Sequence, residues 1–182
     1  MKAAIFLDRD GTLNEEVDYL HRVEEVALVP GAAQAIAALN ARGIPVIVIT
    51  NQSGIGRGYF SWEEYQAVMN RIDVLLAREG AHIDGAYASP HHEKGQGIYQ
   101  HPDHPDRKPN PGMLLRAAEE HRIDLSRSWM VGDKEIDVEA GHRAGCRSAL
   151  VRTGYGSAGG STRADLVAKD LPEAIQRILS GE

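Results

Sequence analysis

The sequence predicts an α/β fold, a Rossmann-like, doubly wound parallel sheet with helices on both faces and no separate cap domain. Three observations carry this expectation. Short apolar or β-branched runs alternate along the chain with stretches of helical periodicity. Residues 3–7 and 46–49 are apolar without alternation, as strands covered on both faces are. Several runs stop abruptly at polar clusters, the pattern expected where strand ends open onto a ligand crevice. The 182 residues fit one domain spanning 1–182, and 42% hydrophobic with 25% charged residues supports a packed core rather than a disordered chain.

Residues 3–7 form the first strand and run directly into Asp8-Arg9-Asp10-Gly11-Thr12. A polar segment follows to Pro30, and the alanine-rich residues 32–41 read as a helix that stops at Gly43. Residues 46–49 form a strand that opens into a glycine-punctuated loop over 50–58. Ser61 with Glu64 three residues later is a capping box, starting a helix that reaches about Glu79. Residues 86–89 are a weaker strand. The segment from Pro90 to Asn110 is irregular, with four prolines and four histidines punctuating it. Asn110-Pro111 places a cap and a first-turn proline on a helix over 112–121. Residues 129–131 form a strand ending at Gly132-Asp133, followed by a helix over 136–144 that Gly145 closes. Residues 148–151 are the last clear strand and 171–179 the closing helix, while the glycine- and serine-rich run 154–161 reads as a mobile loop.

Composition narrows the function. Twenty basic against 26 acidic residues leave a net charge of -6, which argues against a nucleic-acid or anionic-membrane binder. No apolar run approaches a membrane span, and residues 3–7 are too short for a signal-peptide core. The single cysteine, Cys146, excludes an intrachain disulfide framework and reads as a small core residue. A cytoplasmic monomer acting on a small molecule, without nucleic-acid or membrane partners, is expected.

Four polar clusters carry the chemistry: Asp8 with Asp10, Thr50 with Asn51, Arg107 with Lys108, and Asp133 with Asp137. Each alone reads as an ordinary turn, strand end or surface pair. A parallel sheet brings most of them to one edge. Asp8, Asp10 and Asp133 then crowd negative charge that calls for a cation, and a hard divalent ion with oxygen ligands, Mg2+, answers it. Lys108 and the Thr50 hydroxyl offer an incoming phosphate positive charge and hydrogen-bond donors.

In this order, Asp8-Arg9-Asp10-Gly11-Thr12, Thr50, Lys108 and Gly132-Asp133 with Asp137 resemble the four motifs of the haloacid dehalogenase-like superfamily of phosphatases. The resemblance covers nearly the whole chain. More narrowly, residues 8–13, 50–58, 107–113 and 132–141 resemble the branch that holds heptose bisphosphate phosphatases and histidinol-phosphate phosphatases. The run 51–58 is nearer the heptose side.

The resemblance implies that Asp8 is the nucleophile, forming an aspartyl phosphate, and that Asp10 is the general acid and base. It implies Mg2+ on the Asp8 side chain, the Asp10 main-chain carbonyl and Asp133, with Thr50, Asn51 and Lys108 holding the phosphoryl oxygens. Glu16, Val17, Asp18, Tyr19, Gln52, Ser53, Arg57, Arg107 and Lys134 complete the expected substrate contacts, Arg57 being a candidate for a second phosphate. The implied reaction removes the 7-phosphate of D-glycero-D-manno-heptose 1,7-bisphosphate, in nucleotide-activated heptose (lipopolysaccharide core) biosynthesis, with the anomer left open. Histidinol phosphate, a broad substrate range, or a phosphate-binding protein without turnover are the alternatives. Resembling enzymes hold a structural zinc on a Cys-x-His pair and a later Cys-x-Cys pair. The corresponding positions here are Ser89, His91, His104 and Asp106, so the thiolates are gone. His92 or His101 offers a substitute ligand, but a loop without zinc is expected.

Overall fold

The computed structural model describes residues 1–157 and 161–181. Six parallel strands form one sheet: β1 (Ile5–Leu7), β2 (Val46–Asn51), β3 (Gly85–Ser89), β4 (Trp129–Gly132), β5 (Arg147–Val151) and β6 (Leu166–Ala168). Their order is β3-β2-β1-β4-β5-β6. The chain builds outward from β1 to β3, then crosses to β4 on the other side of β1. That reversal puts a crevice between the carboxyl ends of β1 and β4, where ligands of doubly wound sheets bind.

Alternation along the strands builds two cores. Ile5, Leu7, Val46, Val48, Trp129 and Val131 face α1 (Ala32–Asn40), α3 (Trp62–Ala77) and α6 (Leu171–Ser180). Phe6, Ile47, Ile49 and Met130 face α4 (Gly112–His121) and α5 (Glu135–Ala144). Burial on both sides explains why these strands read as unbroken apolar runs. Cys146 is buried in the second core, and burial pushes its thiol up to about 12. Among the described residues no helix is long and apolar enough to cross a membrane.

The local signals act as their chemistry requires. Ser61 Oγ accepts from the Glu64 N–H at 3.1 Å and Glu64 Oε2 accepts from the Ser61 N–H at 2.7 Å, closing the capping box. Gly145, at φ 91°, ends α5 in the left-handed conformation. Three expectations need correction. Thr50 and Asn51 belong to β2 rather than to the loop, and residues 53–56 form a single helical turn, α2 (Ser53–Gly56). Asn110 does not cap α4. Pro111 holds that position, and the Asn110 amide donates to Asp103 Oδ1 at 2.7 Å and to the His104 carbonyl at 3.2 Å. A sixth strand, β6, follows the supposed last one, three residues long and at the sheet edge. Of the expected mobile loop, residues 154–157 form a 3-10 turn, and residues 158–160 lie outside the described residues.

Candidate active site

The crevice is floored by the first loop. Asp8 follows β1 directly, and its N–H donates to the Val131 carbonyl at 2.9 Å, tying it to β4. Gly11 turns the chain at φ 80°, and a Cβ there would stand 2.6 Å from Asp133 Oδ2, so this turn excludes other residues. Gly132 is equally constrained, since an added Cβ would meet the Asp137 side chain at 2.3 Å. These close approaches bring Asp8, Asp133 and Asp137 together.

Lys108 is fully buried among them. Its Nζ lies 2.9 Å from Asp8 Oδ1, 2.8 Å from the Ile49 carbonyl and 2.6 Å from Asp137 Oδ1. Burial alone would discharge the amine, but Asp137 and Asp8 outweigh it and hold the ammonium charged. Asn51 sets where that lysine starts: its Oδ1 accepts from the Lys108 N–H at 3.0 Å and its Nδ2 donates to the Lys108 carbonyl at 3.1 Å. The Asn51 amide is thus engaged by the lysine main chain.

Ligand atoms of Asp8, Asp133 and Asp137 lie within 4.8 Å of one another, the one such group of potential metal ligands among the described residues. Burial, then Asp8 and Asp137, push Asp133 up to about 8, and its Oδ1 is buried without a partner. Such an all-oxygen, desolvated, anionic set fits a hard divalent cation. Asp10 was expected in this set on charge grounds, but its side chain turns away. It accepts from Arg9 Nη2 at 2.9 Å, Asn14 Nδ2 at 3.0 Å and Gln52 Nε2 at 2.9 Å. Asp137 stands beside Asp8 instead, ion-paired with Lys108 at 2.6 Å.

The cleft above has a volume of about 220 Å³. Asp8, Asp10, Glu16, Val17, Asp18, Tyr19, Asn51, Gln52, Ser53, Lys108 and Lys134 line it, so most predicted contacts converge. Burial and Asp10 push Glu16 up to about 7 against the pull of Lys134. Thr50 is buried behind the lining, its hydroxyl accepting from Gln52 Nε2 at 2.9 Å. Arg57 flanks the mouth outside the lining: Nη1 donates to Tyr19 Oη at 2.7 Å, and the guanidinium sits 4.6 Å over Tyr59. Arg107 is not in the lining either, and donates to the His91 carbonyl at 2.9 Å. Sequence reasoning missed Tyr155, which lines the cleft, and the structural weight of Arg9, which is fully buried against Asp10.

The positions corresponding to a zinc loop are not arranged as zinc ligands are, although Ser89 Oγ and His91 Nδ1 are buried without a partner. His91 and His104 stack face to face, 3.4 Å between centroids and 8° between planes. A ligating imidazole points a nitrogen lone pair in its own plane at the ion, about 2 Å away. Two parallel rings at this separation cannot both do so. The Asp106 carboxylate is bound to Arg116 at 2.8 Å, and His104 Nδ1 accepts from the Asp106 N–H at 3.1 Å.

A doubly wound sheet with an aspartate at the end of β1, a buried lysine upon it and a carboxylate after β4 defines the haloacid dehalogenase-like class of hydrolases. Models of that class match the chain, a haloacid dehalogenase-like hydrolase model over residues 5–83 and a HAD-hydrolase-like model over 106–174. A D-glycero-beta-D-manno-heptose-1,7-bisphosphate 7-phosphatase of Mesorhizobium japonicum is 52% identical over 78% of this chain and 65% of its own length. The enzyme of that name from Pasteurella multocida is 43% identical over 99% of this chain and all of its own. The crystal structure of D,D-heptose 1,7-bisphosphate phosphatase from B. bronchiseptica, complexed with magnesium and phosphate, superposes with a TM-score of 0.86. It is 33% identical, with both chains fully covered. This chain belongs to the haloacid dehalogenase-like hydrolases and, within them, to the family of D-glycero-D-manno-heptose-1,7-bisphosphate 7-phosphatases.

Proposed function

We propose that this chain is a Mg2+-dependent phosphatase that removes the 7-phosphate of D-glycero-D-manno-heptose 1,7-bisphosphate and leaves the 1-phosphate. The observation that carries the chemistry is Asp8 on the cleft floor, fixed by the Lys108 ammonium at 2.9 Å. The substrate rests on the relatives, whose names specify this sugar.

A carboxylate is a competent nucleophile near neutral pH, and Asp8 attacks phosphorus to form an acyl phosphate that water then hydrolyses. Lys108 offsets the charge on the transferring oxygens. Asp10 protonates the departing sugar oxygen and then activates the water. For this its carboxylate turns from Gln52 and Arg9 toward the cleft it lines. Asp8 and Asp133 would hold Mg2+, with the Asp10 main-chain carbonyl as a further ligand. Bound there, the ion offsets negative charge between carboxylates and phosphate. Asp137 is committed to Lys108. In this reading Glu16, Asp18, Gln52, Ser53 and Lys134 bind the sugar and Arg57 binds the second phosphate, supported by their position in or beside the cleft lining.

A phosphate-release assay with both heptose 1,7-bisphosphate anomers and histidinol phosphate tests this reading. The higher kcat/KM is expected for a heptose anomer; a higher value for histidinol phosphate would overturn the substrate. Asp133→Ala is expected to raise the Mg2+ concentration giving half-maximal rate, with excess Mg2+ restoring part of the activity. An unchanged Mg2+ titration would move the ion elsewhere. Protein purified without a histidine tag is expected to carry no stoichiometric zinc and to keep its Tm in a chelator. Near-equimolar zinc, with a drop in Tm on its removal, would contradict the stacked-imidazole loop.

A further inference from the structure

Two lysines line the cleft, and they are held differently. Lys108 is locked between Asp8 and Asp137. Lys134 forms no direct ion pair among the described residues: Asp133, Asp8, Glu16 and Asp137 attract its ammonium from farther off, and it lies 4.6 Å over the ring of Tyr155. The same tyrosine reaches across to the first loop, where its hydroxyl lies 3.1 Å from Asp18 Oδ1. Its main-chain N–H donates to Asp133 Oδ2 at 2.9 Å, and two residues earlier Thr153 Oγ1 donates to the Gly11 carbonyl at 2.6 Å. The strap 153–155 is thus pinned to the catalytic floor by bonds that do not involve the Tyr155 side chain. Tyr155 is 54% exposed and belongs to neither core.

An exposed aromatic side chain engaged at both ends is explained by the cleft it borders. We propose that Tyr155 is a positioning residue that sets specificity for the leaving group: it holds Lys134 and Asp18 along one wall of the cleft. That wall then offers an ammonium, a carboxylate acceptor and an aromatic face, which together match a polyhydroxylated, anionic leaving group. A cation over an aromatic ring contributes about 0.5–1 kcal/mol when exposed and more when desolvated, so the ring limits where the Lys134 ammonium travels. The proposal rests on the phosphatase reading given above and adds a residue that none of the four motifs contains.

The test compares Tyr155→Ala and Tyr155→Phe with the parent on two substrates, heptose 1,7-bisphosphate and p-nitrophenyl phosphate. The second lacks a sugar and a second phosphate. For Tyr155→Ala the ratio of kcat/KM for the sugar to that for p-nitrophenyl phosphate is expected to fall about fivefold, mainly through KM. Tyr155→Phe keeps the ring over Lys134 and is expected to recover most of that ratio. The Mg2+ titration should stay as in the parent, because the bond to Asp133 is a main-chain one. An unchanged ratio, or an equal fall on both substrates accompanied by a weakened Mg2+ response, would overturn the proposal and leave a structural strap. If the parent cleaves p-nitrophenyl phosphate but not heptose bisphosphate, the heptose reading fails. The same ratio with the best sugar phosphate of a screen then decides the role of Tyr155.

Discussion

Asp8→Asn is expected to lower kcat at least about 10³-fold while the protein keeps its fold. The substitution preserves shape and the N–H bond to Val131, but an amide oxygen does not displace an alkoxide from phosphorus. The substitution weakens the buried pair with Lys108, but Asp137 still faces that ammonium, so the variant is expected to stay folded. Steady-state kinetics on protein checked by mass spectrometry for deamidation back to aspartate decides the matter. Turnover within tenfold of the parent would remove covalent catalysis at this residue.

Lys108→Ala is expected to cost both activity and stability. Its ammonium faces two carboxylates in a fully buried setting, and removing one partner of such a group typically destabilises by about 3–5 kcal/mol. Activity should fall at least about 10²-fold if, as proposed, the lysine charge acts on the transferring phosphoryl oxygens. Denaturant unfolding measures the first effect and kinetics on the folded fraction the second. Lys108→Met, which fills the same channel without charge, separates them: it should recover packing but not turnover. A Met variant with near-parent kcat would show that the lysine serves only the fold.

Much of this arrangement was legible in the sequence, for identifiable reasons. Strands buried on both faces announce themselves as short apolar runs, and Asp8, Asn51 and Asp133 lie at or just past their carboxyl ends. The topology then gathers them without further instruction. What sequence spacing could not show is which way a side chain turns once there. Asp10 and Asp137 are both carboxylates near the first strand's end, yet the buried Arg9 draws Asp10 aside while Lys108 draws Asp137 in. Nor could spacing show that the Asn51 amide pairs with the Lys108 main chain. Arg107 adjoins Lys108 in sequence but bonds to His91, outside the cleft lining. Tyr155 follows a glycine in a loop with no motif around it, and only the closure of residues 153–155 onto Gly11 and Asp133 brings it to the site. The edge strand β6 has three residues, too few for a periodicity to register.

On the proposed function, this cleft takes the phosphate from carbon 7 and spares the one at the anomeric carbon. Phosphorus-31 NMR of heptose 1,7-bisphosphate during turnover with Mg2+ reads it directly. The 7-phosphomonoester signal is expected to decay into inorganic phosphate while the anomeric phosphate signal persists at full intensity. Loss of the anomeric signal first, or an unchanged bisphosphate spectrum under conditions where histidinol phosphate is hydrolysed, would contradict it.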